Sequence, residues 1–153
     1  MEFAIDHMKN LRGILERKML EEFPRGFKKS FSGYKFFVSA ADSPALVTKG
    51  KKSRHKIISS GYNEALLTVE IEILLDAQKE LESQSGSREN EDELNNMADS
   101  LAEFLMSKSM IELEPDLKLA VETPIEIEYG MREGGTRAAT LTASYNKRYL
   151  REA

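Results

Sequence analysis

Four glutamates on two strand-like segments are the best candidates for enzymatic chemistry in this sequence. Both segments alternate apolar and acidic residues, and the acidic positions are Glu70, Glu72, Glu126 and Glu128. Carboxylate oxygens are ligands that Mg²⁺ prefers, so these side chains could bind the ion if the two strands were neighbours. Clustered carboxylates repel one another without a cation, however, and charged residues on a solvated sheet face are the commonest sheet pattern. A small Mg²⁺-dependent enzyme is therefore an alternative interpretation, and we predict no metal site.

Nucleophilic and phosphate-binding chemistry finds little support in the sequence. The chain contains no Cys, which excludes disulfides, thiolate metal sites and Cys nucleophiles. His55 lies in a basic stretch where we expect nothing to orient it for a catalytic triad. We expect His7 to be a surface or boundary residue of the first helix. No helix is predicted after Gly134-Gly135, so this pair does not form a phosphate-binding loop. We predict no catalytic residue and no cofactor.

A basic stretch from residue 49 to residue 56 is the strongest candidate for contact with a partner. Its cations are Lys49, Lys51, Lys52, Arg54 and Lys56, and no acidic residue interrupts them. Such a stretch could hold phosphates, but it has no interleaved aromatic residue for base stacking. We expect a solvated loop or a contact with an acidic neighbouring subunit, rather than sequence-specific binding of nucleic acid.

The charge of the whole chain is −4, but its distribution along the sequence is strongly asymmetric. Residues 1–62 contain 13 Lys or Arg against 6 Asp or Glu, a net charge of +7. Residues 63–128 have a net charge of −14, and residues 129–153 have +3. One domain can then present a basic and an acidic surface on different sides, which suits a subunit that contacts charged partners or copies of itself.

Apolar periodicity predicts two amphipathic helices. The first covers residues 2–22 and ends before Pro24; its apolar stripe is Ile5, Met8, Leu11, Leu15 and Met19. The second begins at Glu91 and ends before Pro115; its stripe is Leu94, Met97, Ala98, Leu101, Phe104 and Leu105.

Alternation with a period of two predicts strands. They cover residues 34–38, 45–48, 67–75, 125–131 and 139–145, with Gly134-Gly135 as the turn of the last hairpin. We expect flexible loops near residues 48–60 and 79–90, the first of them an exposed loop or a hairpin tip. The whole chain, residues 1–153, then forms a single α+β domain whose mainly antiparallel sheet carries two helices on one face.

Length and composition agree with this prediction. At 153 residues and 41% hydrophobic content, the chain can bury one core but is too short for two ordinary domains. No apolar run approaches the ~20 residues that a membrane-spanning helix needs, and the N-terminus has no signal-peptide core. We expect a soluble intracellular protein.

The order of these elements resembles the tail terminator proteins of long-tailed bacteriophages, of the minor tail protein U type, and related tail-completion proteins. The features that carry the resemblance are the N-terminal helix, the strand start at residues 43–47, the run from Ala65 to Gln78, the acidic helix with Phe104, and the last hairpin. They extend over nearly the whole chain, although none is a diagnostic motif.

The resemblance implies a virion structural protein rather than an enzyme. It implies a hexameric ring of identical subunits that caps the tail tube, stops its polymerisation and offers a surface to the head connector. The partners would be other copies of the chain, the tail tube protein and the head connector protein, with no membrane. The protein would be assembled in the host cytoplasm and located in the virion tail. A head–tail connector or neck protein is the alternative of the same kind.

Overall fold

A mixed sheet of seven strands and three α-helices make up the part of the chain that the structure describes, residues 5–33, 38–77, 88–132 and 134–150 of a computed structural model. The elements, in chain order, are α1 (His7–Glu22), β1 (Lys29–Ser32), a 3₁₀ turn (Ala40–Asp42), β2 (Ala45–Ser59), β3 (Tyr62–Asp76), α2 (Arg88–Leu105), α3 (Lys108–Ile111), β4 (Glu112–Glu114), β5 (Leu117–Leu119), β6 (Glu126–Arg132) and β7 (Thr136–Leu150).

Three long strands form the centre of the sheet. The strand order is β1-β2-β3-β7-β5-β4, and β6 also pairs with β7. On the side of β7 away from β3, β6 pairs with residues 136–142 and β5 with residues 145–147. The β1–β2 pair is parallel and the other pairs are antiparallel, so the mainly antiparallel sheet is confirmed.

The main core lies between one face of this sheet and the helices. Because side chains alternate along a strand, every second residue of β3 points to this face. The buried residues of β3 on this face are Ala65, Leu67, Val69, Ile71, Ile73 and Leu75. The same cluster contains Leu11, Leu15 and Met19 of α1 and Leu94, Ala98, Leu101, Ala102 and Leu105 of α2. The predicted α+β fold, with two helices on one face, is therefore confirmed.

Local sequence signals explain where α1 begins and ends. The side chain of Asp6 caps the helix by accepting a hydrogen bond of 2.9 Å from the backbone N–H of Lys9. The helix ends at Glu22, two residues before Pro24, which disfavours helical geometry in the residue before it. The predicted helix began at residue 2; residues 1–4 lie outside the described residues. Ile5, the first residue of the predicted apolar stripe, precedes the helix and is 61% exposed, so this part of the prediction was wrong.

The second strand extends well beyond its predicted end. We predicted a strand over residues 45–48 and a flexible loop near residues 48–60, whereas β2 continues to Ser59 and pairs with β3 along its length. The loop prediction was wrong because the segment lacks apolar alternation and is held by backbone pairing in a long hairpin. Its turn is at Ser60-Gly61, where Gly61 has φ +87°, a value that favours glycine.

The other boundaries differ less from the predictions. The helix predicted from Glu91 begins at Arg88, so residues 88–90 of the predicted 79–90 loop are helical, and residues 79–87 lie outside the described residues. The predicted strand 34–38 also falls mostly outside them, and Val38 is not in a strand. The last hairpin is confirmed as β6 and β7, with Gly134 at φ +79° and Gly135 at φ +73° in its turn.

The sheet face opposite the helices, called here the open face, is only partly covered by the described residues. At one end Val38 packs on Ala45, Val47, Leu74 and Ala138 in a small second cluster. The backbone N–H of Val38 donates a hydrogen bond of 3.1 Å to the Oγ1 atom of Thr136. Beyond this cluster the open face presents mostly polar and charged side chains.

Candidate functional site

The basic stretch forms the exposed part of β2. Lys51, Lys52, Arg54 and Lys56 are exposed, as predicted from their charge, although they lie on a strand and not on a loop. Lys49 is separated from them because its side chain is only 12% exposed and its Nζ lies 2.6 Å from Oε1 of Glu72. The structure therefore brings four of the five predicted residues together and assigns the fifth a contact inside the sheet.

The register with β3 determines where these cations point. Lys52, Arg54 and Lys56 are paired with Thr68, Leu66 and Glu64, whose side chains lie on the open face. Lys51 is the extra residue of a β-bulge between Gly50 and Lys52. Lys52, Arg54 and Lys56 therefore form a basic row on the open face.

The outer edge of the basic part of β2 has no described strand beside it. β1 pairs with β2 only from Ala45 to Thr48, so among residues 5–33, 38–77, 88–132 and 134–150 nothing pairs with the outer edge of Gly50–Ser59. An open strand edge can pair with another chain, and lysines and bulges on it are known ways of limiting unwanted pairing.

The four predicted acidic residues do not form a metal site. β7 lies between β3 and β6, so Glu70 and Glu72 are separated from Glu126 and Glu128 by a whole strand. Within the described part of the chain, no group of three or more His, Cys, Asp or Glu side chains is placed to hold a metal ion.

Glu72 has a structural environment that the sequence did not reveal. Its side chain is fully buried, and it contacts the Lys49 ammonium and the Arg132 guanidinium. The hydroxyl of Thr140 donates a hydrogen bond of 3.2 Å to its Oε2 atom. A buried carboxylate needs such partners, because an unpaired charge inside a protein is costly. This glutamate is thus occupied in joining β2, β3, β7 and β6.

Acidic side chains collect on the other side of the molecule. α2 lies over β7 and β3, and it exposes Glu91, Asp92, Glu93, Asp99 and Glu103. β6 exposes Glu126 and Glu128 on the open face. The charge asymmetry of the sequence therefore becomes a spatial one, with a basic β2 at one side of the sheet and an acidic β6 and α2 at the other.

Tyr149 brings the two histidines of the chain together, which the sequence analysis missed. The His55 Nδ1 atom and the Tyr149 hydroxyl are 2.9 Å apart, at hydrogen-bond distance, and the centroids of the Tyr149 and His7 rings are 4.6 Å apart. Burial lowers the pKa of His7, and the charges of Lys147 and His55 lower it further. We predicted no orienting group for His55, and no sequence signal could have indicated one because the contact joins positions 94 residues apart.

A groove of about 560 Å³ crosses the open face next to the basic row. It is lined by cations and anions together, among them Lys56, Lys118, Arg148, Glu64 and Glu122. On the helix face near this end of the sheet, Lys147 donates a hydrogen bond of 2.8 Å to Asp116, which lowers the pKa of that carboxyl. The mixed charge of the groove gives it no net preference for an anionic or a cationic ligand.

Comparison with known proteins supports the fold and no more. No protein-family model and no curated protein sequence matches this chain. Among solved structures that resemble it, one covers 96% of this chain and 100% of its own chain, with a TM-score of 0.51 and 14% sequence identity. At that identity the similarity concerns the arrangement of helices and strands. None of the helices in the described residues is long and apolar enough to cross a membrane.

Proposed function

We propose that this chain is a structural assembly subunit of the phage tail terminator type, which forms a ring with other copies and caps a tail tube. The observation that carries the proposal is the placement of opposite charges at opposite sides of one sheet. The exposed cations of β2 lie at one side, and the exposed acids of β6 and α2 lie at the other.

Such a distribution suits head-to-tail contacts. In a cyclic ring every interface joins two different surfaces of the same chain, so a basic surface on one copy can contact an acidic surface on the next. Charge complementarity speeds encounter and disfavours wrong orientations. The element order that resembles tail terminators adds the tail tube protein and the head connector protein as further partners.

Charge reversal tests the self-assembly part of the proposal. The variant Lys51→Glu, Lys52→Glu, Arg54→Glu should form smaller oligomers than the wild type at low salt, measured by light scattering. A control of equal charge change is Lys9→Glu, Arg17→Glu, a pair of exposed α1 cations, together with Lys28→Glu. An unchanged oligomer mass in the β2 variant, or an equal loss in the control, would contradict a role for the basic strand.

Co-sedimentation tests the choice of partner. The proposal predicts that the chain sediments with tail tubes and not with portal-containing heads that lack the head connector protein. Sedimentation with heads alone would favour the head–tail connector interpretation. A calorimetric titration with Mg²⁺ completes the test, because heat and thermal stabilisation on adding the ion are expected only for the enzyme alternative.

A further inference from the structure

Besides the outer edges of β1 and β4, two strand edges of the sheet have no described neighbour, and these two carry opposite charges. One is the outer edge of β2 from Gly50 to Ser59, and the other is the edge of β6 that faces away from β7. We propose that the β2 edge of one copy pairs with the β6 edge of the next copy and continues the sheet from subunit to subunit. This inference rests on the proposed function, since it assigns the surface through which copies assemble.

The directions of the strands permit an antiparallel pairing. β3 is antiparallel to both β2 and β7, so β2 and β7 run the same way, and β6 runs opposite to both. When a second copy is placed beside the first with its open face on the same side, its β6 is antiparallel to the β2 that it meets. In an antiparallel pair the residues of the two strands lie directly opposite each other, so each side chain faces one partner across the edge.

The charges then lie on the same face. Glu128 is paired with Thr140, and Thr140 is paired with Glu72, so Glu126 and Glu128 lie on the open face. The cations Lys52, Arg54 and Lys56 also lie on the open face through their register with β3. Within the described residues, no salt bridge of Glu126, Glu128 or Arg54 is present, and Lys56 has one of 3.7 Å with Glu64.

Two registers satisfy two charge pairs at once: Glu128–Arg54 with Glu126–Lys56, and Glu128–Lys52 with Glu126–Arg54. We assign the first, because the second would set Arg132 opposite Thr48, whose outer edge already pairs with β1. With Glu128 opposite Arg54, Glu126 lies opposite Lys56, and Gly130 lies opposite Lys52. On the helix face the same register sets Tyr129 opposite Ser53. It also covers part of Tyr129, which is 49% exposed in a single copy.

The offset between neighbouring copies along the strand direction agrees with a closed ring. Arg54 is level with Asn146 of β7, whereas Glu128 is level with Thr140, so the two edges are offset by six residues. At ~3.3 Å per residue this offset is about 20 Å along the strands, and four strands at ~4.8 Å make each copy about 19 Å wide. The resulting strand tilt of about 45° to the ring axis lies at the upper end of the range of closed barrels.

The same charges oppose the wrong pairings. Two β2 edges would place cations opposite cations, and two β6 edges would place carboxylates opposite carboxylates. The lysines and the bulge therefore disfavour pairing between the β2 edges of two copies. An acidic β6 edge, in contrast, removes the repulsion between the cations, because it places carboxylates opposite them. This selectivity distinguishes a docking edge from one that is only guarded against aggregation.

A disulfide trap tests the contact directly. The chain has no Cys of its own, so the variant Ser53→Cys, Tyr129→Cys introduces the only two thiols. Within one copy, β3 and β7 separate β2 from β6 by about 14 Å, beyond the reach of a disulfide. Oxidation should therefore produce a ladder of linked copies on a non-reducing gel, which reducing agent returns to one band.

The matched control is Ser53→Cys, Glu103→Cys, in which the second thiol is on the exposed surface of α2. The amount of disulfide-linked oligomer should be at least about tenfold lower in this control, because the edge contact does not bring its thiols together. A Ser53–Tyr129 variant that yields no ladder, or no more than this control, overturns the proposed pairing.

Charge exchange supplies a second test with its own rescue. In the disulfide background, Arg54→Glu, Lys56→Glu and separately Glu126→Lys, Glu128→Lys should each lose most of the ladder, because both edges of a copy then have the same sign. Mixing the two variants should restore it, since each edge again meets an opposite one. A mixture that stays as weak as its components would contradict the charge pairing.

The outcomes also separate this inference from the proposed function. A chain that sediments with tail tubes but forms no ladder disproves the edge pairing and leaves the terminator role standing. A ladder from a chain that binds no tubes supports the pairing and removes the terminator role.

Discussion

Replacing Tyr145 with phenylalanine should make the protein more stable. Tyr145 is fully buried in the core between sheet and helices, and among the described residues its hydroxyl has no hydrogen-bond partner. Leaving a buried polar group unsatisfied costs about 1–3 kcal/mol, and the substitution removes that group while keeping the ring. For a domain of this size 1 kcal/mol corresponds to about 2–4 °C, so the melting temperature should rise by about 2–12 °C.

Thermal unfolding followed by far-ultraviolet circular dichroism measures the effect. Tyr62→Phe is the matched control, because Tyr62 is 42% exposed and loss of its hydroxyl should change stability by no more than about 0.5 kcal/mol. An unchanged or lower melting temperature for Tyr145→Phe would refute the reasoning, since it would mean that the hydroxyl is hydrogen-bonded in the folded protein.

Alkaline pH gives the same prediction an independent readout. Burial raises the pKa of Tyr145 above its ordinary value, so the phenol loses its proton more readily in the unfolded chain. The stability that comes from the neutral phenol is complete below the unfolded value of about 10 and is lost as the pH rises above it. The advantage of Tyr145→Phe over the wild type should therefore widen above pH 10; a constant difference would contradict the assigned burial.

Three further predictions concern other parts of the fold. Lys49→Met with Arg132→Met should cost about 3–5 kcal/mol in urea unfolding, because a buried carboxylate would lose both cations; a loss below 1 kcal/mol would contradict its assigned environment. His7 has a lowered pKa, so stability should fall as the pH drops below about 6.5, and His7→Gln should reduce that fall; equal acid sensitivity of the two proteins would count against it. Gly50→Ala should lower the melting temperature, because its Cβ would lie 2.7 Å from the Cγ atom of Met8 in α1. Gly13→Ala, where a Cβ has open space, should instead raise the stability by about 0.5–1 kcal/mol. A melting temperature that is higher for Gly50→Ala than for Gly13→Ala would refute the packing argument.

The elements that were predicted most accurately are those whose sequence pattern depends only on neighbouring residues. The alternation from Leu67 to Leu75 predicted both the strand and its buried face, because each apolar side chain there is matched to the pleat of β3. The helix stripes, except for Ile5, and the turn at Gly134-Gly135 were predicted for the same reason. These signals depend only on neighbouring residues, so they can be read without the fold.

The site depended on long-range pairing and was predicted only in part. The exposed charge of Lys51 to Lys56 was predicted, but their strand was not, since its partner is β3 and its own residues show no apolar alternation. The environment of Glu72 follows from the position of β7 between β3 and β6, which no local pattern encodes. The contacts of Tyr149 with His7 and His55 likewise join positions that are far apart in the sequence.

The length of tail tubes is the measurement that tests the terminator role most directly. Tube protein polymerised with and without this chain should be compared by electron microscopy, with the β2 charge-reversal variant as a third sample. The account predicts shorter tubes that carry a ring at one end in the presence of the wild-type chain, and longer, uncapped tubes without it or with the variant. Tubes of the same length and with bare ends in all three samples would contradict it.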